Sequence, residues 1–134
     1  MSLLGFFRRG RTDVEIAVVG AGLPALAVSE DRLRQVLLNL AMNAIDATPE
    51  DGTVRLAARA SGDGVELVVS DEGPGIPEDS RTRVFEPFFS GRSDRPGGLG
   101  LAICRRIAEE AGGSIRVVDG RPGGAEFCVN LPTA

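Results

Sequence analysis

The sequence predicts a single α+β domain, and three observations lead to this prediction. Residues 33–47 are mostly apolar, and four of their polar residues fall on one side of a helix. Two apolar runs, residues 53–60 and 65–70, flank a short turn and are typical of a β-hairpin. A second helical pattern, residues 101–111, is followed by two strand-like runs, residues 114–118 and 125–131. The 134 residues suffice for one hydrophobic core.

The composition excludes several classes of function. The net charge of −4 and the pI of about 4.9 disfavour a surface for nucleic acid or acidic membranes. The chain has no histidine, which removes Ser/His/Asp and Cys/His nucleophilic machinery and most zinc sites. Its two cysteines, Cys104 and Cys128, are too few for a disulfide framework, so we expect reduced thiols in the cytoplasm.

The amino terminus differs in character from the rest of the chain. Residues 1–12 combine a short apolar patch with basic residues, in the reverse order of a signal peptide, and are too short to span a membrane. We interpret them as a remnant of an upstream linker or helix, or as a tag, and place the domain at residues 13–134. Two short strands or extended segments, residues 14–19 and 26–28, are expected next. Ser29 is the expected N-cap of the first helix.

The first helix carries a polar stripe. At ~100° per residue, four polar side chains fall within an arc of roughly 80°: Gln35, Asn39, Asn43 and Asp46. The opposite side is apolar, so we expect a helix that is buried on most of its circumference. Each polar side chain buried without a partner would cost about 1–3 kcal/mol. The stripe therefore faces either a polar site or neighbouring backbone groups.

The second hairpin strand leads directly into Asp71, Gly73 and Gly75. A carboxylate at the end of a buried strand can accept a hydrogen bond from a donor such as an exocyclic amine. Glycines that follow it let a ligand approach the backbone closely. Aspartate and glycine are also common turn residues, so the motif alone leaves an ordinary turn open.

Three consecutive segments lead into the second helix: an aromatic one, a polar one and a glycine-rich one. Residues 83–89 hold three of the six phenylalanines and are expected to close one side of the core. Residues 90–96 are polar and breaker-rich, which predicts a mobile loop. Residues 97–101 then lead into a helix N-terminus, whose free N–H groups and dipole favour phosphate oxygens. Arg92 and Arg95 are candidates to bind the same anion, and a tight loop without a ligand is the alternative.

Together and in this order, these motifs resemble the catalytic and ATP-binding domain of sensor histidine kinases. The wider family also holds type II topoisomerase, MutL-type and heat-shock chaperone ATPases. The resemblance covers roughly residues 14–132, and the phenylalanine segment and the run Gly98-Leu99-Gly100-Leu101 resemble the histidine kinase branch. It implies a Bergerat-type fold, a two-layer α/β sandwich whose one mixed sheet of about five strands has helices on one face. ATP would lie between the helices and a flexible lid.

The resemblance also implies roles for individual residues. Asn43 would coordinate Mg²⁺ through its side-chain oxygen, Asn39 would lie beside the phosphates, and Asp71 would accept a hydrogen bond from the adenine amino group. Phe85 and Phe88 would hold the hinge of the lid. The whole nucleotide site would comprise Asn39, Asn43, Asp46, Asp71, Gly73, Gly75, Ile76, Phe85, Arg92, Gly98, Leu99, Gly100 and Leu101.

The residue at position 39 distinguishes family members that hydrolyse ATP from those that transfer its phosphate. Hydrolysing members carry a glutamate four residues before the magnesium-binding asparagine, where this chain has Asn39, and an amide cannot act as a general base. The resemblance therefore implies a protein-histidine kinase domain that holds Mg-ATP for a histidine on a separate dimerisation domain, and serves a response regulator indirectly. Without a histidine of its own, the chain is expected to bind ATP but not to phosphorylate itself. We expect a cytoplasmic domain, either free or as the cytoplasmic portion of a membrane-bound sensor, with no direct contact to nucleic acid or membrane. The isolated fragment is expected to be a monomer.

Two residues depart from the family pattern, and two alternatives stay open. Pro96 replaces a residue that would supply an N–H, which predicts a stiffer or shorter lid. Ala125 stands where a threonine often holds a water near the adenine, a loss of about 1 kcal/mol. The first alternative is a stand-alone serine kinase of the anti-sigma type, which shares the fold. The second is a degenerate adaptor of the same fold that no longer binds nucleotide.

Overall fold

The structure is a computed structural model that describes residues 2–9, 12–19, 28–49, 52–62, 64–87, 99–120 and 123–133. The first half contains β1 (Ser2–Arg9), β2 (Thr12–Val19), α1 (Glu30–Ala47), β3 (Thr53–Ser61) and β4 (Gly64–Ser70). The second half contains α2 (Gly100–Glu110), β5 (Ser114–Asp119) and β6 (Ala125–Pro132). Two short 3₁₀ turns, Glu78–Ser80 and Arg83–Phe85, lie between β4 and α2.

The strands form one sheet in the order β1-β2-β3-β4-β6-β5. The strands β2 and β3 pair in parallel, whereas β3, β4, β6 and β5 form an antiparallel block of four. The predicted α+β class is confirmed. The expected count of about five strands is not, since the described residues form six. The extra strand is β1, which pairs antiparallel with β2 at the edge of the sheet, in a region interpreted above as a linker or helix remnant.

One face of the sheet packs against both helices. Alternate residues of β4 and β6 are buried on this face, as the period of two in a strand requires: Val65, Leu67, Val69, Phe127, Val129 and Leu131. They form a single core with residues of α1 and α2, namely Val36, Leu40, Ala44, Cys104, Ile107 and Ala108. The helices therefore form the second layer of the domain.

Helix α1 begins as predicted but is less buried than predicted. The Ser29 hydroxyl caps it by accepting a hydrogen bond from the Arg32 N–H at 3.2 Å. Leu38, on the outer side, is 58% exposed. The expectation of burial around most of the circumference is therefore wrong. In a two-layer domain only the side of a helix that faces the sheet and the neighbouring helix is covered.

Helix α2 ends in the predicted glycine cap. Gly112 adopts φ +87°, a left-handed conformation that favours glycine. The N–H of Gly112 donates to the Glu109 carbonyl at 3.0 Å, and that of Gly113 donates to the Ala108 carbonyl at 2.8 Å, which is a Schellman motif. No helix in the described part of the chain is both long and apolar enough to cross a membrane.

The opposite face of the sheet carries charged residues. Glu66 is only 8% exposed there. Its carboxylate pairs with Arg59 at 2.6 Å and with Arg116 at 3.4 Å. The hydrogen bond from Arg59 is the main cause that lowers the pKa of Glu66. A buried carboxylate is tolerated here because two guanidinium groups compensate its charge.

Two predicted segments lie wholly or largely outside the described residues. The strand expected at residues 26–28 is described only at Val28, which is not in a strand. The aromatic pair at residues 88–89 and the loop at residues 90–98, including Arg95 and Pro96, are not described at all.

Candidate functional site

Asp71 is held in a fixed orientation at the end of β4. Its N–H donates to the Ala125 carbonyl at 3.0 Å. In return, Oδ1 accepts hydrogen bonds from the N–H groups of Gly73 at 2.9 Å and Ala125 at 3.1 Å. The residue is 5% exposed, and none of the described residues donates to Oδ2. One carboxylate oxygen thus fixes the side chain, and the second is available to accept a hydrogen bond from a ligand.

Glycines pack closely around Asp71. A Cβ on Gly124, which has φ +83°, would lie 2.8 Å from Asp71 Oδ1. A Cβ on Gly75, with φ +82°, would lie 3.1 Å from the Gly124 carbonyl oxygen, and one on Gly73 would lie 2.5 Å from the Ala47 carbonyl oxygen. Gly73 and Gly75 were predicted as site residues, but Gly124 was not. Its role depends on a contact between distant parts of the chain that local sequence does not reveal.

Thr48, which was not predicted as a site residue, connects α1 to the segment around Asp71. Its hydroxyl donates to the Ala44 carbonyl at 2.8 Å and accepts from the Glu72 N–H at 3.2 Å. Glu72 in turn accepts a hydrogen bond from the Thr53 N–H at 2.6 Å. These bonds place the end of α1 beside residues 71–77, which we call the Asp71 loop.

Asn39 lies next to the first residue of α2. A Cβ on Gly100 would lie 3.8 Å from the Cβ and Cγ atoms of Asn39. The Asn39 Nδ2 atom is buried, and it has no hydrogen-bond partner among the described residues. Leu99, the N-cap of α2, provides no side-chain hydrogen bond to the helix N-terminus. An unpaired amide donor therefore lies beside uncapped backbone N–H groups, and both favour an anion.

Cys104 lies behind Asn39 in the core. Burial raises the pKa of its thiol to about 12, and the nearby Asn39 amide opposes this rise. The neutral thiol is directed to the Val36 carbonyl, with 3.7 Å between sulfur and oxygen. Cys104 is therefore a packing residue whose buried thiol lies close to the Asn39 amide.

The remaining residues of the polar stripe are more accessible. Asn43 is half-buried one turn after Asn39, and Asp46 is exposed near the end of α1. The described residues contain no cluster of three or more Cys, Asp or Glu side chains suited to a metal ion.

The other predicted residues occupy different environments. Phe85 is buried and packs edge-on against Phe127, with ring centroids 6.0 Å apart. Ile76 and Leu101 pack at the margin of the core, whereas Leu99 is 44% exposed. Arg92 and Gly98 lie outside the described residues. Phe85 is thus a core residue, and its expected role at a lid hinge stays a prediction.

The two halves of the site lie along the same helix. The Asp71 loop contacts α1 at Ala47 and Thr48, and Asn39 contacts the start of α2. Ala47 follows Asn39 by eight positions, which at a rise of ~1.5 Å per residue separates the two by ~12 Å along the helix. The site thus has a hydrogen-bond acceptor, Asp71, at one end and donors suited to an anion, at Asn39 and the start of α2, at the other. This arrangement suits an elongated ligand with an amino group at one end and phosphates at the other.

Residues 28–134 match the family described as histidine kinase-, DNA gyrase B- and HSP90-like ATPases, and the chain belongs to this family. The relatives that it resembles place it with the ATP-binding domains of histidine kinases, as the resemblance implied. The sensor histidine kinase ZraS of Escherichia coli O157:H7 is 42% identical over 110 residues, 82% of this chain and 24% of ZraS. The C4-dicarboxylate transport sensor protein DctB of Rhizobium meliloti (strain 1021) is 41% identical over 128 residues, 93% of this chain and 20% of DctB. The chain thus spans about a quarter or less of the length of these relatives.

Solved structures support the same assignment. The catalytic domain of histidine kinase ThkA is 36% identical, with a TM-score of 0.72 over 79% of this chain and 69% of that domain. Full-length ShkA in complex with AMPPNP is 41% identical, with a TM-score of 0.77 over 92% of this chain and 26% of ShkA. ThkA in complex with the response regulator TrrA is 32% identical, with a TM-score of 0.74 over 89% of this chain and 33% of ThkA.

Proposed function

We propose that this chain holds Mg-ATP and donates the γ-phosphate to a histidine on a separate dimerisation domain of a sensor histidine kinase. The observation that carries the proposal is the buried Nδ2 of Asn39, which has no hydrogen-bond partner among the described residues and lies beside the start of α2 at Gly100. A buried amide donor without an acceptor costs about 1–3 kcal/mol, which a phosphate oxygen would offset. The AMPPNP complex of ShkA, a relative with the same fold, supports a nucleotide as the ligand.

The adenine end of the nucleotide would lie at Asp71. The Oδ2 atom would accept a hydrogen bond from the adenine amino group, while Gly73, Gly75 and Ile76 would form the adjacent wall. At the other end, Asn39 and the N–H groups of residues 99–101 would bind the phosphates, with Gly98 and Arg92 of the lid. Asn43 would hold the magnesium ion through its amide oxygen, and Asp46 would lie close by.

The residues present favour transfer of the phosphoryl group over hydrolysis. When bound, Mg²⁺ neutralises charge on the phosphates. Asn39 binds the phosphates but cannot remove a proton from water, because an amide has no basic site at neutral pH. Catalysis by this chain therefore consists of holding and orienting the γ-phosphate for an acceptor supplied by another domain.

The partners and cellular location follow from this proposal. The dimerisation domain would receive the phosphate, and a response regulator would take it afterwards, as the ThkA–TrrA complex suggests by analogy. We propose that this domain lies in the cytoplasm without direct contact to nucleic acid or membrane, and that the isolated domain is a monomer. The named relatives support this function over the anti-sigma-type serine kinase and the degenerate adaptor.

Calorimetric titration with ATP, with and without Mg²⁺, tests the proposal. We expect magnesium-dependent binding, and Asn43→Ala should abolish most of the magnesium dependence. Addition of a histidine-containing dimerisation domain from a relative, with radiolabelled ATP, should then label that domain and leave this chain unlabelled. Absence of ATP binding would support the adaptor alternative, and transfer to a serine substrate would support the serine kinase.

A further inference from the structure

The loop that follows Asp71 is held by few hydrogen bonds of its own. Pro74 and Pro77 have no N–H to donate, and Gly75 adopts φ +82°. Among the described residues, the Ile76 carbonyl accepts one side-chain hydrogen bond, from Nε of Arg81 at 3.2 Å. The position of Ile76 therefore depends on where Arg81 is fixed.

Arg81 is fixed by the end of β5. Its Nη2 donates to Oδ1 of Asp119 at 2.5 Å, and Asp119 is the last residue of that strand. The next residue, Gly120, donates its N–H to the Gly124 carbonyl at 3.1 Å. Gly124 packs directly against Asp71. Through Asp119, Arg81 thus connects the loop after Asp71 to the segment that contains Gly124, which packs against Asp71.

We propose that Arg81 is a positioning residue for the adenine end of the nucleotide site. Its guanidinium spans two acceptors and keeps residues 73–76 at a fixed position relative to the Asp71 carboxylate. The proposal rests on nucleotide binding as described above. The hydrogen-bond partners of Arg81 among the described residues, Ile76 and Asp119, both lie on the Asp71 side of the site, so its effect should concern recognition of the base.

If the ion pair between Arg81 and Asp119 served only to stabilise the fold, loss of Arg81 would mainly lower the melting temperature. The side chains of Arg81 and Asp119 are 27% and 80% exposed, and they line an open groove of about 630 Å³ where water competes for the pair. Exposed ion pairs contribute little to folding stability. Loss of Arg81 should therefore change nucleotide recognition much more than the melting temperature.

The test compares ATP with ITP, in which the amino group of the base is replaced by a carbonyl. By calorimetry, Arg81→Ala should weaken ATP binding by about threefold to tenfold and ITP binding by less than about twofold. Arg81→Lys should fall between wild type and Arg81→Ala, because an ammonium lacks the fork that spans both acceptors. Arg34→Ala is the matched control, since it loses exposed ion pairs with Glu30 and Asp31 on α1. That control should bind both nucleotides as the wild type does.

Hydrogen exchange without nucleotide provides a second, independent measurement. In Arg81→Ala, the amides of Gly73, Gly75 and Ile76 should exchange faster, while those of β4 and β6 should not change. Unchanged ATP affinity in Arg81→Ala, or equal losses for ATP and ITP, would overturn the positioning role while leaving the nucleotide site intact. Failure of the wild type to bind ATP would overturn the nucleotide site and, with it, this role.

Discussion

The hydroxyl of Thr48 accepts a hydrogen bond at 3.2 Å from the N–H of Glu72, which follows it by 24 residues in the chain. The same hydroxyl donates to the Ala44 carbonyl at 2.8 Å, and Thr48 is only 7% exposed. One buried side chain therefore joins the end of α1 to the residue after Asp71. The two halves of the proposed nucleotide site are joined through this connection.

Thr48→Val should destabilise the fold. Valine has nearly the same shape, but it leaves the Glu72 N–H without its acceptor, at a cost of about 1–3 kcal/mol. Urea unfolding followed by circular dichroism measures this loss. Thr48→Ser, which keeps the hydroxyl, should recover most of it.

Thr82→Val is the matched control for the Thr48 variant. Thr82 is exposed, and its side chain makes no capping hydrogen bond to the 3₁₀ turn that it precedes. Its replacement should change the free energy of unfolding by less than about 0.5 kcal/mol. Equal losses in the two variants would show that the Thr48 hydroxyl has no special role.

The sequence predicted the parts of the fold that depend on local pattern. Short-range hydrogen bonds and the period of apolar residues predict three of its features, and the structure has all of them: the Ser29 cap, the hairpin of β3 and β4, and the Gly112 cap. The edge strand β1 was not predicted, because its pairing with β2 depends on register rather than on its own composition.

The residues of the candidate site also fall into two groups, those predicted from local sequence and those that depend on distant contacts. Asn39 and Asp71 were predicted as site residues because a polar residue on an apolar element needs a partner. Thr48, Gly124 and Arg81 were not, since each acts through a contact with a distant segment. Local sequence carries no signal for such contacts.

Gly124→Ala should impair both folding and nucleotide binding. Gly124 has φ +83°, and an added Cβ would overlap the backbone carbonyl oxygen of Asp71 and lie 2.8 Å from Asp71 Oδ1. We expect a loss of about 1–3 kcal/mol in the free energy of unfolding, because neither the backbone conformation nor the contact suits alanine. Thermal unfolding and ATP titration measure the two effects.

The neighbouring glycine provides a close control. A Cβ on Gly123 would meet no atom within 4 Å, and this residue is exposed. Gly123→Ala should therefore leave both stability and ATP affinity near their wild-type values. A Gly124→Ala variant that behaves like Gly123→Ala would contradict the tight packing of Gly124 on Asp71.

Glu66 should make stability depend on pH in the acid range. The hydrogen bond from Arg59, with the charges of Arg59 and Arg116, lowers the pKa of Glu66 from its ordinary value of 4.5. A carboxyl whose pKa is lower in the folded state contributes stability above its unfolded pKa and loses it as pH falls through the folded pKa. Wild type should therefore lose this contribution below about pH 4.5.

Glu66→Gln removes the titrating group and tests this dependence. The variant should be less stable than wild type at pH 7, and the difference should narrow as pH falls below about 4.5. Urea midpoints measured across this range give the comparison. Arg59→Gln should reduce the pH dependence more than Arg116→Gln does, since Arg59 lies at 2.6 Å and Arg116 at 3.4 Å. A constant difference at all pH values would mean that the charge of Glu66 does not contribute.

Asp71→Asn separates the structural role of Asp71 from its role in binding. The amide oxygen can still accept hydrogen bonds from the N–H groups of Gly73 and Ala125, so the fold should persist. The amide nitrogen then replaces Oδ2 and places a donor against the adenine amino group. We expect ATP affinity to fall by at least about tenfold, or about 1.4 kcal/mol.

The choice of nucleotide gives the sharpest test of this substitution. The new amide donor suits the carbonyl of ITP, so Asp71→Asn should lose its preference for ATP and bind ITP at least as well. Calorimetry with both nucleotides measures the change, and Asp79→Asn, on an exposed 3₁₀ turn, should preserve the wild-type preference. If Asp71→Asn binds ATP as tightly as the wild type, Asp71 does not recognise the adenine. If it loses ATP and ITP equally, the carboxylate supports the site without reading the base.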